Sequence, residues 1–242
     1  MKLIEKLAQK QNNLYGASPA TIAFLGDSVT QGCFELLESG KAIDTVFDNK
    51  SAYSTRVREI LHTLFPKAHL NIINCGISGD SAPNGLSRLE RDVLPFHPDL
   101  VVVSYGLNDA NNGEGGLQKY AGALKEIFLR VQENGAECIF MTANCMNTQV
   151  STYETNQRFR EIAENTAKVQ NSGMLGTYFE TAKQVARENG AKVCDCYAKW
   201  MAMHRAGVNV TELLANKINH PTREMHYLFA YSLVETMLDT EL

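Results

Sequence analysis

The sequence predicts an α/β protein: a doubly wound, five-stranded parallel sheet with helices on both faces. Short apolar runs alternate with helical patterns along the 242-residue chain, as successive βαβ units do. Each run is continuously apolar, as strands buried on both faces should be. Asn134-Gly135 and Asn189-Gly190 stand where two helices would stop. Right-handed crossovers then place helices on both faces, and the expected strand order is flavodoxin-like, 2-1-3-4-5.

The strands are expected at Thr21–Leu25, Leu70–Asn74, Leu100–Tyr105, Glu137–Thr142 and Lys192–Asp195. Helices are expected between them at Ser51–Phe65, Asn84–Leu94, Gly116–Asn134 and Tyr178–Asn189. The run Asn111-Asn112-Gly113-Glu114-Gly115-Gly116 reads as a mobile loop. Asn144–Gly176 is long for a simple connection. Its helical pattern from Tyr153 to Val169 is expected to build an extra helix and a lid or wall over the sheet's carboxyl edge. Near the C-terminus, Pro221 suits the first position of a helix. Met225, Leu228, Phe229, Leu233 and Met237 follow at helical spacing and would dock it. No repeat, low-complexity tract or linker divides the chain, so one domain over 1–242 is expected, with 1–19 as an N-terminal extension.

The hydrophobic fraction of 44% and charged fraction of 21% are those of an ordinary globular protein with one sizeable core. A net charge of −4 gives no basic field for nucleic acid or an anionic membrane. The first 17 residues lack the apolar stretch of a signal peptide, and no run approaches the ~20 apolar residues of a spanning helix. The cytoplasm is therefore the default expectation. The six cysteines, Cys33, Cys75, Cys138, Cys145, Cys194 and Cys196, read as buried free thiols rather than disulfides or a zinc site.

The chemistry is carried by loops at strand ends, where an open α/β sheet builds its active site. Ile22-Ala23-Phe24-Leu25 stops at Gly26-Asp27-Ser28, which exposes the Ser28 hydroxyl at a strand-to-helix turn. A serine needs a base to take its proton. His220, just before Pro221, would stand on the sheet's rim. A tetrahedral intermediate needs donors aimed at its oxyanion, each worth ~2.7–4 kcal/mol. The Ser28 N–H, the Gly79 N–H and the Asn108 side-chain amide are candidates. Taken singly, Ser28 reads as a helix cap, Gly79 as a turn glycine and Asn108 as a loop residue. Asp27, Asn74 and Asp109 are expected to brace these loops. The remaining histidines, His62, His69, His97, His204 and His226, look structural.

In combination these segments resemble the SGNH hydrolases, also called the GDSL lipase/esterase family. Gly26-Asp27-Ser28 looks like the first block. Gly79 in Asn74-x-x-x-x-Gly79-Asp80 matches the second, Gly106-x-Asn108-Asp109 the third, and His220-Pro221 the fifth. The resemblance covers roughly Ala20 to Met237. It implies a three-layer α/β/α fold and a serine esterase without metal or cofactor. Ser28 would be its nucleophile and His220 its general base. Ser28, Gly79 and Asn108 would form the oxyanion hole. The expected partner is a small-molecule ester, with no nucleic acid and no membrane; a homo-oligomer is compatible with the sequence.

One departure matters. The family usually ends in Asp-x-x-His, and Lys217 stands three residues before His220. A variant of the family carries an Asp four residues before the His, where this chain has Asn216. Either Asn216 or a backbone carbonyl orients the imidazole, or Asp195 at the end of the fifth strand substitutes. A third outcome is that activity is weak or lost. Asp195 reads more simply as a strand-end cap. Asn144, Cys145, Met146 and Asn147 either line the cleft or pack as a loop. Polar residues near these loops fit a sugar ester or small polar ester, and the Asn-His-Pro ending resembles the carbohydrate-esterase branches of the family, which implies short-chain or acetyl esters on carbohydrates. The competing readings are a non-catalytic carbohydrate or ester binder of the same fold, an O-acyltransferase, or a flavodoxin-like phosphate or flavin module. For the last, Asp27 would repel phosphate and no Gly-x-x-x-x-Gly-Lys follows.

Overall fold

The computed structural model describes residues 1–40 and 42–239. In chain order the elements are α1 (Lys2–Asn12), β1 (Ala20–Gly26), α2 (Ser28–Gln31), β2 (Cys33–Ser39), β3 (Ala42–Phe47), α3 (Tyr53–Leu64), β4 (Leu70–Gly76), α4 (Ala82–Asp92), β5 (Leu100–Ser104), α5 (Gly113–Glu133), β6 (Glu137–Thr142), α6 (Gln157–Asn171), α7 (Met174–Glu188), β7 (Lys192–Asp195), α8 (Cys196–Arg205) and α9 (His226–Leu238).

Strands β4-β1-β5-β6-β7 form a wholly parallel sheet in that order. Numbered among themselves these strands run 2-1-3-4-5, as expected from the crossover rule. The interiors of β1, β5 and β6 are closed on both faces: Ile22, Phe24, Leu25, Val101, Val102, Val103, Ile139 and Phe140 are fully buried, whereas the edge strands β4 and β7 are partly exposed. That double burial is why these three central strands read as continuous apolar runs. Helix α3 packs on α9 in one layer, and α5 packs on both α4 and α7 in the other. Strand β1 lies between β4 and β5, so the crossovers from β1 and β4 leave in opposite directions. The crevice at their carboxyl ends is the switch point that holds the site.

Four features depart from expectation. Residues 2–12 are helical, and Leu3 and Leu7 are buried in the main core, so this part of the N-terminal extension is packed. An antiparallel hairpin, β2–β3, follows α2. Its faces are largely open, with Leu37 and Phe47 exposed, so burial did not imprint an apolar pattern on it. The run expected to be a mobile loop is a 3-10 turn, Asp109–Asn112, leading directly into α5 at Gly113. Pro221 does not open a helix: it pairs with Leu214 in an isolated antiparallel bridge, and α9 begins only at His226. The docking residues are nonetheless placed as their spacing implied, with Phe229, Leu233 and Met237 buried.

Candidate active site

Ser28 is the first residue of α2, immediately beyond β1. Asp27 caps the helix, accepting from the Val29 N–H at 3.0 Å. Gly32 takes φ +89 and donates back to the Ser28 carbonyl at 3.1 Å, ending the turn. A Cβ at Gly26 would collide with Thr30 and with the Ser104 backbone, so only glycine allows this strand-to-helix turn. From outside, Asn74 donates to the Thr30 carbonyl at 2.8 Å, and the Tyr53 hydroxyl meets Thr30 Oγ1 at 2.8 Å. The single turn that bears Ser28 is thus fixed by neighbours on two other segments, β4 and α3.

His220 sits on a tight loop that returns on itself. Ala215 donates to the His220 carbonyl at 2.7 Å and Thr222 to the Leu213 carbonyl at 2.9 Å, on either side of the Leu214–Pro221 bridge. Asn216 Oδ1 accepts from the backbone N–H groups of Ile218, Asn219 and His220 at 3.0, 2.9 and 2.9 Å. The loop after β6 braces it further. Asn144 donates to the Asn219 carbonyl at 2.8 Å, and the Asn147 N–H to the Ile218 carbonyl at 2.7 Å. Asn144, Cys145, Met146 and Asn147 are all fully buried, so they pack rather than line a cleft.

The loop delivers His220 Nε2 to 2.9 Å from Ser28 Oγ, across 192 positions of sequence. On the other side of the ring, Nδ1 lies 2.9 Å from the Phe34 carbonyl oxygen. A carbonyl can only accept, so Nδ1 carries the proton and the Nε2 lone pair faces the hydroxyl. This is the tautomer a base must have to receive a serine proton. The expectation that Asn216 orients the ring is corrected: its oxygen is committed to three backbone donors and its Nδ2 donates to Asn219 Oδ1 at 3.0 Å. Asp195 does not substitute. It binds Lys183 at 2.6 Å and Thr142 at 3.0 Å, and caps α8 through the Ala198 N–H at 3.0 Å.

The Phe34 carbonyl is free for this use because β2 is irregular there. Cys33 pairs with Phe47 but Leu36 with Thr45, so β2 carries one extra residue over this stretch. Such a bulge turns a backbone group out of the ladder.

Gly79 lies in an exposed turn at φ +78, and among the described residues its N–H has no hydrogen-bond partner. Asn108 Nδ2 donates to the Asp80 carbonyl at 2.8 Å, leaving its second N–H for another acceptor and tying it one residue from Gly79. Asp80 Oδ2 accepts from Arg88 Nε and Nη2 at 2.8 and 2.6 Å and from the Tyr105 hydroxyl at 2.9 Å. The same Nη2 donates to the Gly26 carbonyl at 3.1 Å. Arg88 therefore joins the three strand ends that carry Ser28, Gly79 and Asn108. Asp109 Oδ1 accepts from the Ala82 N–H at 3.1 Å and braces the start of α4.

Burial dominates the electrostatics. It pushes His220 down to about 4, against the Phe34 carbonyl and Glu35. It pushes Asp27 up to about 7, with Asp109 and Asp80 adding repulsion, and Asp109 up to about 6. His226, expected to be structural, is fully buried and accepts from the Tyr53 N–H at 3.0 Å. Burial pushes it down to about 3. The arrangement can accept a proton from a serine hydroxyl and offers backbone and amide donors nearby. No cluster of three or more metal-ligand side chains occurs among the described residues.

Sequence reasoning missed Phe34, Arg88 and Arg223. The first acts through a backbone carbonyl, which has no side-chain signature. The arginines act through partners 8 to 188 positions away.

The fold is that of the SGNH-type hydrolases. The chain belongs to the GDSL-like lipase/acylhydrolase family, whose model matches residues 24–228. It is a hydrolase of ester bonds. A curated acetylxylan esterase of Geobacillus stearothermophilus is 24% identical over 167 residues, 64% of this chain and 75% of the relative. The crystal structure of Axe2, an acetylxylan esterase from the same organism, superposes with a TM-score of 0.67 at 20% identity, covering 92% of this chain and 95% of that one. A gut microbial diltiazem-metabolizing enzyme superposes with a TM-score of 0.67 at 20% identity, covering 90% of this chain and 47% of that one.

Proposed function

We propose that the protein is a serine esterase that removes short acyl groups, acetyl above all, from carbohydrate alcohols. The observation that carries this reading is the Ser28 Oγ to His220 Nε2 contact of 2.9 Å, with the opposite ring nitrogen held by a carbonyl. Ser28 Oγ attacks the ester carbonyl as Nε2 takes its proton. The oxyanion is met by the Ser28 and Gly79 N–H groups and the Asn108 amide. The leaving alcohol receives the proton from Nε2. Water then attacks the acyl-serine, again giving its proton to Nε2; the acyl–Oγ bond breaks, Nε2 returns the proton to Ser28 Oγ, and the acid departs. Asp27 and Asp109 hold the loops and take no part in the transfers.

Two observations support a polar alcohol. Relatives of this chain are named as acetylxylan esterases. A cavity of ≈ 410 Å³ adjoins the Gly79 and Asn108 loops, and its lining, which includes Ser81, Asn84, Asp109, Asn112 and Lys119 beside Pro83 and Tyr120, is more polar than apolar. A cytoplasmic location is part of the proposal: all six cysteines are free and buried, as a reducing compartment favours. No helix among the described residues is long and apolar enough to cross a membrane.

The test is acetate release from acetylated xylooligosaccharides beside turnover of short-chain and long-chain aryl esters. Preference for the acetylated sugar is expected. Much faster turnover of long-chain esters would overturn the substrate reading, and a wild-type level of acetate release by Ser28→Ala would overturn the mechanism.

A further inference from the structure

Among the described residues no carboxylate meets the imidazole of His220, whose Nδ1 is held by one backbone carbonyl. That carbonyl lies in a bulge of a two-stranded hairpin whose faces are largely open beyond Cys33 and Phe34, which are buried, with the Phe34 ring 4.9 Å from that of His226. A two-stranded hairpin is at best marginally stable alone. Beside that burial, one side chain ties Phe34 to both the His220 and the Ser28 segments.

That side chain is Arg223. It lies three residues beyond His220, on the stretch between the His220 loop and α9. Its Nη1 and Nη2 reach Glu35 Oε1 and Oε2 at 2.6 and 3.1 Å, the fork-on-fork pairing that arginine alone provides. Its guanidinium lies 4.3 Å from the centre of the Phe34 ring. Two consecutive residues of the bulge are thus gripped by one side chain, by charge at Glu35 and by the ring face at Phe34. Its Nε reaches Asp48 Oδ2 at 3.1 Å. The Asp48 N–H in turn donates at 2.8 Å to the carbonyl of Gly32, the residue that closes the helix of Ser28.

We propose that Arg223 is a positioning residue: by clamping the bulge at Phe34 and Glu35 to the loop of Asp48, it sets the carbonyl that holds His220 and keeps the ring in line with Ser28. It touches no reacting atom. This rests on the esterase reading above, in which His220 is the base.

The experiment compares wild-type protein with Arg223→Met, Arg223→Lys and Glu35→Gln. Methionine keeps a long stem but loses the fork, and lysine keeps the charge but not the paired bonds. The first readout is ¹⁵N NMR of histidine-labelled protein. Wild type is expected to show His220 with a protected Nδ1 proton. In Arg223→Met that proton should exchange faster, with the other tautomer appearing. The second readout is kinetics on an acetyl ester. A ring displaced by a fraction of an ångström should lower kcat by ~10- to 100-fold, with KM little changed. Arg223→Lys should recover part of the loss, and Glu35→Gln should reproduce part of it. A merely structural arginine would lower thermal stability without moving the tautomer. An unchanged His220 tautomer and kcat in folded Arg223→Met would overturn the proposal. If that variant does not fold, unchanged values in both Arg223→Lys and Glu35→Gln would overturn it instead. Fluorophosphonate labelling of Ser28→Ala is run alongside. Undiminished labelling there would sink the esterase reading, while the NMR result would still decide the clamp.

Discussion

Arg88 holds Asp80 through two nitrogens, Nε at 2.8 Å and Nη2 at 2.6 Å, with both side chains buried. A buried pair of this kind is costly to break from one side, because the remaining charge stays out of water. Arg88→Leu is therefore expected to lower unfolding free energy by ~3–5 kcal/mol in denaturant titrations. The double variant Arg88→Leu with Asp80→Leu should recover much of that loss. A double variant as unstable as the two singles added together would show that the pair does not act as a unit.

Asn108 donates one amide N–H to the Asp80 carbonyl, and the proposed mechanism gives the second to the oxyanion. Asn108→Ala is expected to lower kcat by ~10²–10³-fold, the loss typical of one oxyanion donor. Ser28 should still react with a small phosphonate, since nucleophile and base are intact. Steady-state kinetics decide: a KM effect alone, with kcat preserved, would place Asn108 in binding rather than in stabilisation of the intermediate.

Asn216 is a loop-former. Replacing it by alanine strips the acceptor from three backbone N–H groups, of which those of Ile218 and His220 are buried. Each unsatisfied buried donor costs ~1–3 kcal/mol, so Asn216→Ala should be clearly destabilised and slow. Asn216→Asp keeps the acceptor and should stay near wild type in both thermal denaturation and turnover. Equal damage from the two substitutions would contradict this role.

The pH dependence follows from burial. The depressed imidazole of His220 is neutral, and able to take the serine proton, at every pH above about 4. Below that it protonates and Nε2 can no longer accept. The acid limb of kcat/KM should therefore fall through about pH 4. An exposed imidazole would put the limb near pH ~6.5. A limb at the higher value in brief-exposure assays would mean that the ring is not buried in the working enzyme.

The sheet was legible because its central strands β1, β5 and β6 are covered on both sides, so burial wrote continuous apolar runs into the sequence. The catalytic candidates were legible because glycine at 26, serine at 28 and asparagine at 108 stand where loops must turn and donors must be offered. The hairpin from Cys33 to Phe47 was not, since its open faces carry mixed residues. What holds the ring of His220 was not legible either. A missing aspartate can be read from Lys217 and Asn216, but the substitute is a carbonyl at Phe34 exposed by one extra residue in a strand. Nor does any local pattern mark Arg223 as the partner of Glu35. The start of α9 was misplaced because Pro221 suits a helix opening and a strand bridge alike, and the pairing with Leu214 is decided by tertiary contact.

The pairing of Ser28 with His220 is tested most directly by mapping where a fluorophosphonate attaches and how fast. The expected result is a single adduct on Ser28 in the wild-type protein, absent in Ser28→Ala and formed far more slowly in His220→Ala. An adduct elsewhere, or a His220→Ala variant that labels as fast as wild type, would contradict it.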